Sequence, residues 1–110
     1  MFKVILILIA ASMILLAQGG GNTEKGKRLY SSIGCYECHG REGQGGGAGP
    51  RLAGRPITLQ VLVMYVRHPS GAMPPYTSKV VSDAELADIH AFLKSIPPAV
   101  PAKDIPLLNQ

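Results

Sequence analysis

The sequence predicts an all-α domain with three main helices. Three segments carry apolar residues at the three- and four-residue spacing of an amphipathic helix, and each follows a side chain suited to cap a helix. No segment reads convincingly as a β-strand. The chain has 110 residues, of which 13 are glycine and only 5% are aromatic. These features favour one small, loop-rich domain with a meagre side-chain core.

The first predicted helix runs from about Glu24 to Ser32, with Asn22 or Thr23 as its N-cap. Gly26 is a poor helix former. We therefore expect Gly26 to lie where a second helix approaches closely. The inner face of this helix is predicted to consist of Leu29, Tyr30 and Ile33.

The second predicted helix covers about Leu59 to Arg67. Thr58 is its expected N-cap, and Pro69 ends it because proline cannot continue a helix interior. Met64 lies within this helix, and we expect it in the core. The predicted inner face consists of Leu59, Leu62, Val63 and Val66.

The third predicted helix has the clearest signals. Residues 82–85 form a capping box, in which Ser82 and Glu85 each accept a hydrogen bond from the other's backbone amide. Pro97 and Pro98 stop the helix. Residues 97–110 hold four prolines, and we expect them to form an extended or disordered C-terminal extension. The apolar positions at helical spacing are Leu86, Ile89, Leu93 and Ile96.

Residues 1–19 have the layout of a secretory signal peptide. Lys3 supplies a positive region, Val4 to Leu16 are apolar apart from Ser12, and residues 17–19 form a small-x-small cleavage site. The apolar run of 13 residues is shorter than the ~20 that cross a bilayer as a helix. We expect cleavage after Gly19, a folded domain at residues 20–96, and membrane contact only if the segment is retained as an anchor.

The segment Cys35-Tyr36-Glu37-Cys38-His39 carries the main chemical signal. Two thiols three positions apart, followed directly by a histidine, form the attachment signature of a c-type haem. Cys35 and Cys38 would form thioethers with the two vinyl groups of one haem, and His39 would then reach the iron as the proximal ligand. These are the only two cysteines in the chain.

Three other interpretations of the cysteine pair are open. A thioredoxin-like redox site needs a βαβ context, which the sequence does not predict. A structural zinc site usually needs four ligands, and the other two histidines, His68 and His90, are single and distant. A plain disulfide between Cys35 and Cys38 is compatible with an exported protein.

Gly40 to Pro50 form a glycine-rich stretch between the first two helices. Its composition is that of a flexible linker. It has neither the lysine ending nor the strand–helix context of a phosphate-binding loop. Directly after a haem motif, its glycines would let the backbone pass close to the porphyrin face.

Met73 is the predicted sixth ligand of the iron. It lies in the loop between the second and third helices, and Pro74 and Pro75 would stiffen its segment. A thioether ligand favours ferrous iron and raises the reduction potential. The other interpretation is a loop methionine that fills an apolar gap, in which case His68 is the next candidate ligand.

Three motifs and the helices that flank them resemble the class I cytochromes c, over about Lys25 to Ile96. The resemblance implies a class I cytochrome c fold with three main helices around one covalently bound haem c. The short link between the second helix and Met73 most resembles that of small cytochromes, or cytochrome domains, that accept electrons from periplasmic quinoprotein or flavoprotein dehydrogenases. The motifs are Cys35-Tyr36-Glu37-Cys38-His39-Gly40, Gly49-Pro50-Arg51-Leu52-Ala53-Gly54 and Gly71-Ala72-Met73-Pro74-Pro75-Tyr76.

The resemblance also implies roles for single residues. The Pro50 carbonyl would accept the proton on the second imidazole nitrogen of His39, which orients the ring. Arg55, Tyr65 and Arg67 are candidates to pair with the haem propionates. Each of these three is equally compatible with an ordinary solvated side chain.

Single-electron transfer is the function that these observations predict. Iron with two protein ligands leaves no open position for a substrate, so we expect a carrier rather than an enzyme. The resemblance implies a periplasmic dehydrogenase as the donor and a terminal oxidase or another cytochrome as the acceptor. The net charge of +4 favours acidic protein partners and is too small to indicate nucleic acid.

Two other functions stay open on the sequence. If Met73 were off the iron or easily displaced, the chain would be a haem-based ligand sensor or a weak peroxidase. The chain could also be the electron-transfer subunit of a larger enzyme complex. The first would have a high-spin ferric spectrum, and the second would co-purify with its enzyme.

Overall fold

A computed structural model of the chain describes residues 20–110. The predicted signal peptide, residues 1–19, lies outside the described residues. Residues 20–110 form α-helices and 3-10 turns with no β-strand, so the all-α prediction is confirmed. The elements in chain order are α1 (Thr23–Ser32), α2 (Cys35–His39), α3 (Leu59–Arg67) and α4 (Asp83–Ser95), followed by 3-10 turns at Ala102–Asp104 and Pro106–Leu108.

The helix caps are those that the sequence predicts. The Asn22 side chain accepts a hydrogen bond from the Lys25 amide at 2.8 Å, and α1 begins one residue before the expected start. Thr58 caps α3. At α4 the Glu85 amide donates to the Ser82 hydroxyl at 3.1 Å, and the Ser82 amide donates to the Glu85 carboxylate at 2.8 Å. Local polar side chains therefore fix where each main helix starts.

Helices α1 and α4 pack against each other at Gly26. A β-carbon at Gly26 would lie 2.9 Å from the Ile89 amide nitrogen and would collide with the Asp88 carbonyl. The helices can approach this closely only because residue 26 has no side chain. Asp88 reinforces the contact, since its carboxylate accepts from the Asn22 amide at 2.7 Å and pairs with Lys25 at 3.3 Å.

Asp88 is mostly buried, yet it is held in its charged form. The hydrogen bond from the Asn22 amide is the main cause that lowers the pKa of Asp88; burial opposes it, and the hydrogen bond and charge of Lys25 add to it. The carboxylate therefore stabilises the start of α1 against α4 across the neutral pH range.

The core lies between α1, α3 and α4. The rings of Tyr30 and Phe92 pack at a centroid distance of 5.4 Å and an angle of 59°, a tilted arrangement that aromatic pairs prefer. The Tyr30 hydroxyl is buried and donates to the Gly40 carbonyl at 2.8 Å; burial raises the pKa of Tyr30 well above its usual value. The buried apolar residues are Tyr30, Ala53, Leu62, Val66, Val81, Leu86, Ile89, Phe92 and Leu93.

The expected burial of Leu59 and Met64 is wrong, and Leu59 is 36% exposed. Met64 is 60% exposed on the outer face of α3, beside the exposed Val61 and Tyr65, because the buried face of this helix is the one that carries Leu62 and Val66. Residues 97–110, which were expected to be extended or disordered, contain two 3-10 turns at Ala102–Asp104 and Pro106–Leu108. Side-chain to backbone bonds within residues 102–109 support those turns.

None of the helices in residues 20–110 is both long enough and apolar enough to span a membrane.

Candidate haem site

Helix α2 brings the three residues of the attachment motif together. It is a single short helix from Cys35 to His39, bounded by Gly34 and Gly40, both of which have positive φ angles (85° and 83°). Residues three and four apart are neighbours on a helix surface, so Cys35 lies beside both Cys38 and His39. This helix is not predictable from the sequence, because five residues between two glycines show no periodicity.

The two sulfurs are not bonded to each other. Both cysteines are free, with Cys35 half-buried and Cys38 exposed. Burial raises the pKa of the Cys35 thiol to about 11. Catalytic thiols of oxidoreductases have lowered pKa values, so the surroundings of Cys35 are the opposite of those in a thioredoxin-like site.

His39 is buried and held by one hydrogen bond. Its Nδ1 lies 2.8 Å from the Pro50 carbonyl oxygen, as the family resemblance implies. A carbonyl can only accept, so Nδ1 carries a proton, and in the neutral ring Nε2 then keeps its lone pair. Histidines that ligate metals are usually oriented in this way, with the second nitrogen donating to a carbonyl or carboxylate.

The glycine-rich stretch is folded against His39. The Gly45 amide donates to the His39 carbonyl at 2.7 Å, and the Gly46 amide donates to the Gly49 carbonyl at 3.0 Å. A β-carbon at Gly49 would lie 2.9 Å from the Cys38 carbonyl oxygen and 3.0 Å from His39 Nδ1. The stretch is therefore a close-packed loop rather than a flexible linker, and Gly49 is the position that lets Pro50 reach the imidazole.

The loop that carries Met73 is fixed at its far end by Tyr76. The Tyr76 amide donates to the Val66 carbonyl at 3.0 Å, and Arg67 Nη1 donates to the Tyr76 carbonyl at 2.9 Å. The Met73 side chain is half-buried and packs against the apolar core. Met73 is thus held in a closed loop and is not a free surface residue.

Tyr76 also links this loop to the attachment helix. Its hydroxyl lies 3.5 Å from the Ile33 carbonyl, just before α2. Burial is the main cause that raises the pKa of Tyr76. The negative charges of ionised Cys35, Cys38 and Glu37 raise it further. The structure therefore places the end of the Met73 loop beside the cysteine motif. Tyr76 belongs to the third motif of the family resemblance, but no sequence pattern indicates this contact.

The three predicted propionate partners have other contacts in this structure. Arg67 Nη2 pairs with Asp83 at 2.6 Å in addition to its bond to the loop. The Tyr65 hydroxyl lies 2.9 Å from the Ser70 hydroxyl oxygen. Arg55 is exposed, and its guanidinium donates to the backbone of the preceding loop at 3.3 Å. Their contact with haem propionates stays a prediction.

The remaining histidines differ in their surroundings. His90 is half-buried, and its Nε2 lies 2.7 Å from the Ile57 carbonyl, so it ties α4 to the segment before α3. His68 is exposed at the end of α3. Among residues 20–110, no group of three or more histidine, cysteine, aspartate or glutamate side chains could hold a metal ion.

The donor set of this site fits a covalently bound haem. Two unpaired thiols lie on one helical turn beside a buried imidazole whose Nε2 is available to iron, and the α-helical fold positions them together with the Met73 loop. These features define the class of c-type cytochromes.

The comparisons with known proteins agree with this class. Residues 21–93 match the family described as cytochrome c oxidase, cbb3-type, subunit III, and the chain belongs to that cytochrome c family. The chain is 33% identical over 91 residues to the cytochrome c subunit of 4-cresol dehydrogenase [hydroxylating] from Pseudomonas putida. The aligned region covers 83% of this chain and 74% of that protein. No solved structure gave a significant match.

Family membership settles the general role of the chain. It is a small cytochrome c that carries electrons, as the sequence predicts, and it is not an enzyme in its own right. The cofactor that belongs to a cytochrome c domain is haem c.

Proposed function

We propose that the chain is an exported, periplasmic, mono-haem cytochrome that carries single electrons between redox proteins. In this proposal Cys35 and Cys38 form the thioethers, and His39 and Met73 are the two iron ligands. One observation carries the proposal more than any other. The buried His39 donates through Nδ1 to Pro50, so its orientation and tautomer are fixed with Nε2 ready for iron.

The protein residues would set the properties of the haem. When bound, haem c supplies a reversible one-electron couple at its iron. Pro50 holds the imidazole of His39 and raises its basicity. Met73 would supply a neutral thioether that favours the reduced state and raises the potential. Its position in a closed, hydrogen-bonded loop supports this role.

The relative from Pseudomonas putida supports a specific kind of partner. That relative is named as the cytochrome c subunit of a dehydrogenase. By analogy, we infer that this chain receives electrons from a periplasmic dehydrogenase, either as its subunit or as its separate acceptor. It would pass them to a terminal oxidase or to another cytochrome.

Absorption spectra of the purified protein test the proposal. The expected results are one haem per chain, haem that stays on the polypeptide in a denaturing gel, and a low-spin ferric spectrum with the weak far-red band of methionine–iron ligation. A high-spin ferric spectrum without that band would contradict the electron-carrier proposal. It would favour a ligand sensor or peroxidase instead.

A further inference from the structure

The outer side of α1 and α2 carries an open groove of about 740 Å³. It lies away from the face of α1 that packs on α4, where Gly26 and Tyr30 are buried. The side chains that matter for its chemistry are Lys27, Arg28, Ser31, Tyr36, Arg41 and Glu42.

The groove is cationic, and its cations have no ionic partners. In the described residues 20–110, no carboxylate lies within 4.0 Å of the charged nitrogens of Lys27, Arg28 or Arg41. Lys25, on the same helix, differs because it pairs with Asp88. Glu42 is the single carboxylate that lines the groove. Three unpaired positive charges against one negative charge leave a clear excess that attracts anionic groups.

The groove borders the attachment helix directly. Tyr36, 38% exposed, lies within α2 immediately after Cys35. A partner that occupied the groove would therefore lie against the helix that carries both cysteines. Exposed tyrosine is also a residue type that is enriched in protein interfaces.

The chemistry of the groove favours a protein segment over a small anion. Its cations lie along an open surface, and the hydroxyl of Ser32, which also lines the groove, already donates to the Leu29 carbonyl at 3.2 Å. No compact cradle of converging donors is formed. Several carboxylates along a partner's surface would match this spread of charge.

A second copy of the chain does not supply such a surface. The chain has seven acidic residues. Three of them are in ion pairs, with Lys25, Arg67 and Lys103, and Glu85 is engaged in the capping box. The others are Glu24 and Glu37, on α1 and α2, and Glu42 in the groove itself.

We propose that this groove docks an acidic segment of the protein that exchanges electrons with the chain. The inference rests on the proposed function, because that function makes the partner a redox protein. Docking here would hold the partner beside the cysteine helix by charge complementarity, which acts mainly on the rate and specificity of encounter.

The test is an NMR titration of the reduced, haem-loaded protein with an octaglutamate peptide at low ionic strength. The expected result is that amide shifts concentrate in residues 27–32, 36 and 41–42. The double variant Lys27→Gln/Arg28→Gln is expected to weaken binding about fivefold, since each exposed charge pair contributes modestly. Glu42→Gln is expected to tighten binding.

A matched control removes the same amount of charge elsewhere. Lys79→Gln/Lys94→Gln changes two exposed lysines outside the groove and is expected to weaken binding less than twofold. Equal weakening by both double variants, or shifts centred on Lys79 and Lys94, would overturn the proposal. Inorganic phosphate that produced the same shifts at the same concentration would also overturn it, in favour of a phosphate site.

The absorption spectrum of each variant separates this inference from the proposed function. Normal haem spectra with no localised peptide binding would refute only the groove as a docking site. Loss of covalent haem or of methionine ligation in the unaltered protein would refute the proposed function instead.

Discussion

Replacing Gly26 with alanine tests the crossing of α1 and α4. The new methyl group would lie 2.9 Å from the Ile89 nitrogen and closer still to the Asp88 carbonyl, and all of these atoms are backbone. Alanine would gain about 1 kcal/mol of helix propensity over glycine. Overpacking against rigid backbone costs about 3 kcal/mol. We therefore expect a net loss of about 2 kcal/mol in the free energy of unfolding.

Thermal unfolding of the haem-loaded protein, followed by far-ultraviolet circular dichroism, measures this loss. For a domain of this size, each kcal/mol shifts Tm by about 4–8 °C, so Gly26→Ala should lower Tm by about 8–16 °C. Gly20→Ala is the matched control, because a β-carbon there meets nothing within 4 Å and Gly20 lies outside the glycine-rich stretch that is expected to pass close to the porphyrin; its effect should stay within about 1 kcal/mol. A Gly26→Ala variant as stable as the unaltered protein would refute the close crossing.

Three further changes have defined outcomes. Cys35→Ser with Cys38→Ser should abolish haem staining after denaturing electrophoresis, and persistent staining would exclude thioether attachment. Met73→Ala should lower the midpoint potential and increase carbon monoxide binding. Met64→Ala, at a side chain that is 60% exposed, should change neither property and should alter stability by less than about 0.5 kcal/mol; the reverse pattern would reassign the ligand. The pKa of Asp88 is lowered in the folded state. The contribution of its carboxylate to the free energy of unfolding is therefore complete above the unfolded pKa of 3.8 and is lost as the pH falls through the folded pKa. The difference in unfolding free energy between the unaltered protein and Asp88→Asn should therefore be constant near neutral pH and shrink below pH ~4, and a constant difference down to pH ~2 would contradict the assignment.

The main helices could be predicted because their signals are local. The capping box at Ser82, the cap at Thr58 and the spacing of apolar residues each act within one or two turns of chain. The role of Gly26 was also predictable, since a glycine inside an otherwise regular helix usually has a packing reason. The structure shows that reason to be the backbone of α4.

Other features depend on contacts between distant parts of the chain, which no local pattern encodes. Met64 is as apolar as its neighbours, but the packing of α3 leaves it exposed. Tyr76 acquires its surroundings from α2, about 40 residues earlier. Gly49 is one of many glycines in its loop, and only the folded position of His39 distinguishes it from the others.

The candidate haem site likewise combines residues that a local pattern identifies with contacts that no local pattern encodes. The cysteine pair and His39 are recognisable from spacing alone, because covalent attachment requires them in one short motif. The bond from His39 to Pro50 joins residues 11 positions apart and was reached through family resemblance rather than through spacing. The contact of Arg67 with a propionate stays a prediction; in the structure Arg67 joins the Met73 loop to Asp83 at the start of α4.

The closed loop around Met73 has a consequence for how quickly the proposed iron ligand could return after it leaves. Residues 66 and 76 are joined by a backbone bond, and Arg67 adds a second tie. Closing a flexible loop of about 10 residues costs about 2 kcal/mol of chain entropy. Here the hydrogen bonds that close the loop, rather than a bond to the ligand, offset that cost. A thioether displaced by a small molecule would therefore stay tethered at a high effective concentration, and it would rebind by a unimolecular step rather than by refolding of the loop.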